Sequence, residues 1–191
     1  MKKIIKLIVQ GISLVCVFPL ALLSAFGRVE PLYLLGAQFF ALFPGLPGDY
    51  LRIAYCRLTL DECSLDSRIQ FGSFFAHPQA KVAPGVYIGS YCVLGRTSIG
   101  ERTQIASGVQ VLSGRRQHDR DAEGQILGGE AGLLQTISIG ADCWIGAAAI
   151  VMADVGSGTT IGAGSVVAKP VPPRTVAVGN PARVIKTIGV D

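Results

Sequence analysis

From about residue 64 onward, branched aliphatic residues recur at every sixth position of this chain. The run Ile139-Gly140-Ala141-Asp142-Cys143-Trp144-Ile145-Gly146-Ala147-Ala148-Ala149-Ile150-Val151 carries the pattern most clearly, and Ile161-Gly162-Ala163-Gly164-Ser165-Val166-Val167 repeats it. Ile88, Leu94, Ile99, Ile105 and Val111 keep the same spacing, with one five-residue step between Leu94 and Ile99. A period of six matches neither the 3.6-residue repeat of a helix nor the two-residue alternation of a strand. It is the spacing of a parallel β-helix. Each unit supplies one short flat strand and a turn, and three units close a triangular coil of about 18 residues.

The physical consequences follow directly. The aliphatic residue points into the prism and stacks on its equivalents in neighbouring coils, which pair about 4.8 Å apart. The residue four positions later also points inward, near a corner, and must be small: Cys92, Thr103, Val109, Cys143, Ala149 and Ser165 occupy that slot. Gly89, Gly95, Gly100, Gly140, Gly146 and Gly162 fall at bends, where a missing Cβ permits unusual φ and close backbone approach. Coiling is expected from near residue 64 to Val111 and again from Ile137 to Val178, roughly five coils in all. The spacing between Val151 and Ile161 is ten instead of twelve, which predicts a tightened corner around Gly156-Ser157-Gly158. An insert at residues 113–136 separates the two runs and opens with a polar stretch. Long inserts in solenoids usually lie on one face and often carry function.

The first 60 residues are different. A mean hydropathy of +0.48 is high for a chain with 24 glycines, and the N-terminus is the main cause. Ile4 to Phe26 is nearly all apolar after Lys2, Lys3 and Lys6, and Leu7 to Phe26 is about one bilayer crossing if helical. A second apolar run, Pro31 to Pro47, is cut by Gly36, Pro44 and Pro47, and Asp49 to Leu60 reads as an amphipathic segment with Arg52 and Arg57. A signal peptide, one or two membrane spans, a hairpin bent at Pro19 and a helical subdomain packed on the solenoid all compete. Attachment to the cytoplasmic face of a bacterial inner membrane, as a monotopic segment or a hairpin with basic residues near the headgroups, is the favoured expectation. Residues 1–60 are thus expected to form an apolar helical segment, and residues 61–191 the β-helix.

The five cysteines contain no Cys-x-x-Cys and suggest neither a disulfide framework nor a metal site. A net charge of +4, scattered and without aromatic interleaving, gives nucleic-acid binding little support.

The motifs Trp144-Ile145-Gly146, Ile161-Gly162-Ala163-Gly164-Ser165-Val166-Val167, Val171-Pro172-Pro173 and Gly179-Asn180-Pro181-Ala182-Arg183-Val184 resemble those of the hexapeptide-repeat acyltransferases. The maltose, galactoside and nodulation-type O-acetyltransferases are the most similar, and the resemblance covers about residues 65–187. It implies an all-β, left-handed parallel β-helix, a homotrimer with three sites between subunits, and acetyl-CoA as acyl donor. The N-terminus is similar to membrane-associated members that act in polysaccharide assembly.

The resemblance also implies roles for individual residues. His118, in the polar insert, is the expected general base, since imidazole titrates near neutrality and suits taking a proton from an attacking hydroxyl. Asp119, Asp121 and Glu123 are candidates to orient it. The backbone N–H of Ala147 is the expected oxyanion donor. Gly146 allows the thioester to approach, Trp144 packs beside pantetheine, and Ala163 bonds pantetheine through its backbone. Lys169 and Arg183 meet the CoA phosphates. Ala168 stands where many relatives have Thr, so one hydroxyl contact is absent.

His77 is expected to be structural. Its presence raises a zinc-dependent hydratase reading, but that chemistry needs three imidazoles, and His77 and His118 are the only two histidines. No metal is expected. A non-catalytic membrane scaffold is the remaining alternative. The expected acceptor is a sugar or lipid-linked saccharide hydroxyl, with serine or amino-sugar N-acetylation as the alternative. Arg115 and Arg116 are candidates for contact with an anionic acceptor.

Overall fold

The computed structural model describes residues 2–114, 118, 120–127 and 134–189. Three helices come first: α1 (Lys2–Leu23), α2 (Glu30–Ala41) and α3 (Gly45–Thr59). Coiling starts at Glu62, with two residues between it and the end of α3. The first coil carries β1 (Glu62–Cys63), β2 (Arg68–Ile69) and β3 (Phe74–Phe75). The second carries β4 (Lys81–Val82), β5 (Tyr87–Ile88) and β6 (Val93–Leu94), and the third β7 (Thr97–Ile99), β8 (Gln104–Ile105) and β9 (Gln110–Val111). After the insert come β10 (Ile137–Ile139), β11 (Trp144–Ile145) and β12 (Ile150–Val151), then β13 (Thr160–Ile161) and β14 (Val166–Val167). β15 (Thr175–Val178) ends the winding, and β16 (Arg183–Thr187) folds back antiparallel on it.

The strands stack in register into three faces. β1, β4, β7 and β10 form the first, which single bridges at Val155 and Val171 continue. β2, β5, β8, β11, β13 and β15 form the second, closed by β16, and β3, β6, β9, β12 and β14 form the third. The result is five complete coils and a partial sixth in a left-handed β-helix. Ile69, Ile88, Ile105, Ile145 and Ile161 line the second face inside, each with no exposed surface, and Phe75, Leu94, Val151 and Val167 do the same on the third. Each such side chain contributes roughly 1.5–3 kcal/mol of burial. The small-residue slot is filled as the repeat requires: Cys92, Thr103, Val109, Cys143, Ala149 and Ser165 are all buried.

Two expectations change. The glycines after the aliphatic residues are not needed for unusual φ. A Cβ on Gly140 would lie 2.4 Å from Ser157 N, and one on Gly100 2.4 Å from Ala141 N, so these glycines serve close approach between coils. The left-handed positions sit elsewhere in the turn, at Gly72, Gly85, Gly108, Gly158 and Gly164, and at Tyr91, Arg102, Asp142, Ala148 and Arg174. The tightened corner also moves. Val155 pairs with Ile139, so the step from Val151 to Val155 is four residues and that from Val155 to Ile161 is the usual six. The shortening lies at Met152-Ala153-Asp154, one corner before Gly156. Every irregular step in the chain falls at this one corner, between the third face and the first: Phe75 to Val82, Leu94 to Ile99, the insert, Val151 to Val155, and Val167 to Val171.

The helices cap the open end. Within the stack each ladder carbonyl accepts from the coil before it, as Ile88 O does from Gln70 N and Leu94 O from Ala76 N. The first coil has no predecessor, so its carbonyls need other donors. Arg52 Nε supplies one to Ile69 O at 2.9 Å, and Tyr33 Oη one to Phe75 O at 2.9 Å. Gln10 Nε2 donates to Leu65 O at 2.8 Å, and Gly72 N donates in return to Ala41 O. Arg52 is 2% exposed and also reaches the carbonyls of Phe40, Ala41 and Phe43 and the carboxylate of Asp49, which Arg68 shares. Gly36 lies in α2 because a Cβ there would meet Tyr55 Oη at 2.3 Å. His77 binds Glu30 through Nδ1, joining the corner after β3 to the start of α2.

Candidate active site

The edge between the second and third faces carries the first half of the expected site. Gly146 N donates to Ile161 O and Gly164 N to Ala147 O, each at 2.8 Å, which stacks Ala147 over Ala163 one coil away. Both alanines are exposed, and neither backbone N–H has a hydrogen-bond acceptor among the described residues. Exposed, fixed N–H groups of this kind are what a developing negative charge or a ligand carbonyl needs. A Cβ on Gly146 would sit 2.4 Å from Ala163 N, so glycine is required to leave that donor open. Trp144 is not a corner residue. It lies on the flat strand β11, between Gln104 and Thr160 in the ladder, with its side chain 60% exposed on the outer surface.

The edge between the third and first faces carries the other half. The insert leaves and returns here, clasped by Gln135 N donating to Ser113 O at 2.9 Å. Arg96 ties the clasp to the coil below: its N–H donates to Ser113 Oγ and its carbonyl accepts from Ile137 N. Arg96 Nε is buried without a hydrogen-bond partner among the described residues. Above the clasp, the two four-residue steps open a cleft of about 590 Å³ lined by Gln135, Met152, Asp154, Ala168, Lys169 and Pro170. Ala168 is half-buried in it and Lys169 exposed. Asp154 accepts a hydrogen bond from Ser138 N through Oδ1.

His118 lies exposed in a bend of the insert. Of its candidate orienting groups, Asp121 is already engaged, accepting from Gln125 N at 2.8 Å in a small hairpin bridged at Arg120 and Ile126. Glu123 is exposed, and Asp119, like Arg115 and Arg116, lies outside the described residues. Arg183 is exposed on β16, at the end of the second face.

The expected cofactor-binding set is therefore not one cluster within a single chain. Gly146, Ala147 and Ala163 belong to one edge of the prism, with Trp144 on the flat strand that leads into it, and Ala168, Lys169 and the root of the His118 loop belong to another. The sequence reading missed the cleft residues Met152, Asp154 and Gln135 and the buried Arg96. The shortened spacing between Val151 and Ile161 is the signal for the cleft, and the structure places it one corner before the expected Gly156-Ser157-Gly158.

The second histidine and the thiols stand apart from both edges. His77 is engaged with Glu30 at the helical cap. Cys56, Cys63, Cys92 and Cys143 are buried, and burial pushes all four thiols above the ordinary range. That environment suppresses the thiolate and any nucleophilic role.

Comparison with known proteins agrees with this architecture. No family model matches the chain. A maltose O-acetyltransferase from Clostridium difficile 630 superposes with a TM-score of 0.69 at 26% identity, over 88% of this chain and 89% of that one. A hexapeptide-repeat-containing acetyltransferase from Vibrio cholerae gives 0.70 at 19% identity, over 87% and 93%. In sequence, the serine acetyltransferase of Escherichia coli K12 is 34% identical over 116 residues, 57% of this chain, and this chain spans only 37% of its length. The chain thus has the left-handed β-helix fold of the hexapeptide-repeat acyltransferases.

Proposed function

We propose that the chain is an acetyl-CoA-dependent O-acetyltransferase acting on a saccharide hydroxyl, in surface polysaccharide or glycolipid assembly at the cytoplasmic face of a bacterial inner membrane. The observation that carries the reading is the stacked pair of open N–H groups at Ala147 and Ala163, the second of which is left uncovered by the missing Cβ of Gly146. A thioester carbonyl at Ala147 and a pantetheine amide at Ala163 would each receive one donor, with Trp144 beside the arm. His118 takes the proton of the acceptor hydroxyl as its oxygen attacks the thioester carbon. The carbon–sulfur bond breaks, and the departing thiolate receives that proton. Lys169 and Arg183 are exposed cations suited to the phosphates of CoA.

The division of the site between two edges supports a homotrimer. In a three-fold ring of prisms, the Ala147 edge of one chain faces the Lys169 edge of the next, and three equal grooves form. The exposed apolar surface of the helices supports membrane attachment and hence a lipid-linked acceptor.

The similarity to a serine acetyltransferase favours a second reading, transfer to serine or to the amine of an amino sugar. One assay separates the two: acetyl-CoA turnover with neutral sugars, amino sugars and serine as competing acceptors. Turnover with a hydroxyl sugar, lowered about 10²–10⁴-fold by His118→Ala, is the expected result. Turnover with serine alone would replace the first reading with the second, and full activity of the variant would remove His118 as the base.

A further inference from the structure

Helix α1 is inside out. Its buried stripe is Gln10, Ser13, Val17 and Ala21, at helical spacing and mostly polar or small, and Ser24 continues it just past the helix end. Its outer face is Ile4, Leu7, Ile8, Ile12, Val15, Phe18 and Leu22, between 47% and 73% exposed. A helix of a water-soluble domain places these faces the other way round. Leu35 and Phe39 of α2, Leu42 just after it and Leu46 at the start of α3 are likewise exposed.

Both ends of α1 are tied to the first coil. Near the start, Lys6 pairs with Asp66 at 2.8 Å, and Gln10 bonds Leu65 O at 2.8 Å. Just past the end, Gly27 packs so closely that a Cβ would lie 2.3 Å from Thr59 O and 3.1 Å from Pro78 Cβ. Asp66 and Pro78 belong to the same coil. The helix therefore lies along the end of the prism and does not project from it. Its 22 residues are about 33 Å long, enough to cross a bilayer, but a crossing would draw Asp66 or Pro78 and the coil behind it into the hydrocarbon.

Charge selects the partner. α1 contains no acidic residue, and exposed cations stand at both ends of its apolar face, Lys3 at the start and Arg28 after the end. Two copies paired about a two-fold axis would set cation against cation in either orientation. An anionic headgroup layer accommodates both ends at once, as a helix lying in the plane of the interface requires.

We propose that the outer face of α1 seats flat in one leaflet of an anionic bilayer, so that the helical cap docks the solenoid on the membrane without crossing it. This rests on the membrane attachment proposed above, not on the transferase reading.

The test uses the full chain and vesicles of phosphatidylethanolamine with phosphatidylglycerol. Flotation with the vesicles is expected, and Ile8→Glu combined with Val15→Glu should abolish it without altering the melting temperature. In a Cys16→Ser background, nitroxide labels at Ile4→Cys, Val15→Cys and Leu22→Cys should report similar depths. Positions 4 and 22 are about 27 Å apart along the helix. Labels at 4 and 22 in opposite leaflets would overturn the flat mode and leave attachment standing. A folded protein that fails to float would overturn attachment itself. Assembly into a larger species that the double Glu variant disperses would then identify a second copy as the occupant.

Discussion

Replacing Arg52 with Met keeps the length and apolar stem of the side chain but removes its guanidinium. That group donates to Ile69 O, Phe40 O, Ala41 O and Phe43 O and to Asp49 Oδ1, at 2.6–3.3 Å. Ala41 O keeps Gly72 N, and Phe40 O keeps Phe43 N. Ile69 O, the ladder carbonyl of the first coil, loses the donor that stands in for a preceding strand. Asp49 keeps Arg68 but loses its buried partner. Breaking a buried charge pair by removing one member costs about 3–5 kcal/mol. At about 2–4 °C per kcal/mol for a chain of this size, the expected fall in melting temperature is roughly 10 °C. The loss should be local at first, because stacked coils depend mainly on their neighbours. Helical circular dichroism follows α1 to α3, and the fluorescence of Trp144, the sole tryptophan, follows the fourth coil. The helical signal should melt early and the tryptophan signal move less. A change below about 1 kcal/mol in both probes would refute the reasoning, since the guanidinium would then be replaceable by water or by a shift of α3.

Further outcomes follow from the same geometry. Gly146→Ala should cost about 1–3 kcal/mol by overpacking against the fifth coil, and should lower acetyl-CoA turnover, because the added methyl meets Ala163 N; unchanged turnover would remove that N–H from the site. Lys169→Glu should raise the KM for acetyl-CoA with kcat little changed, and an unchanged KM at low salt would exclude a phosphate contact. Maleimide at neutral pH should add to Cys16 alone. Cys16 is exposed, whereas burial lifts Cys63 to about 12 and Cys56 well above its usual range, so both stay protonated far above neutrality. Mass spectrometry of a folded sample with two adducts would contradict this.

The stack was legible because its cause is local. Six-residue spacing, a small residue at the fourth place and glycine after the aliphatic are set by contacts between equivalent positions. Reading them placed Ile88, Cys143 and Ile161 correctly inside. Of the two reasons expected for those glycines only close approach holds, because spacing alone does not distinguish a turn that needs left-handed φ from one that needs an absent Cβ. The short corner at Met152 to Asp154 was misplaced for a related reason: ten residues between Val151 and Ile161 fix the total, not which of two turns gives way. Neither the burial of Arg52 nor the inverted faces of α1 could be read from composition, since both depend on how the helices pack on one another and on the first coil. The candidate site was legible as residue types, because backbone donors follow the repeat. Its partition between two edges was not, because that depends on where along the perimeter each residue falls.

The confinement of all length variation to one corner has a further consequence. Two of the three sides repeat without change, so the scaffold is indifferent to what happens along the remaining seam. Chain can be added or removed there without disturbing the stacked interior. The mouth of the cleft and the length of the insert rooted beside it are thus adjustable independently of stability, and relatives built on this plan can differ in acceptor while sharing one rigid frame.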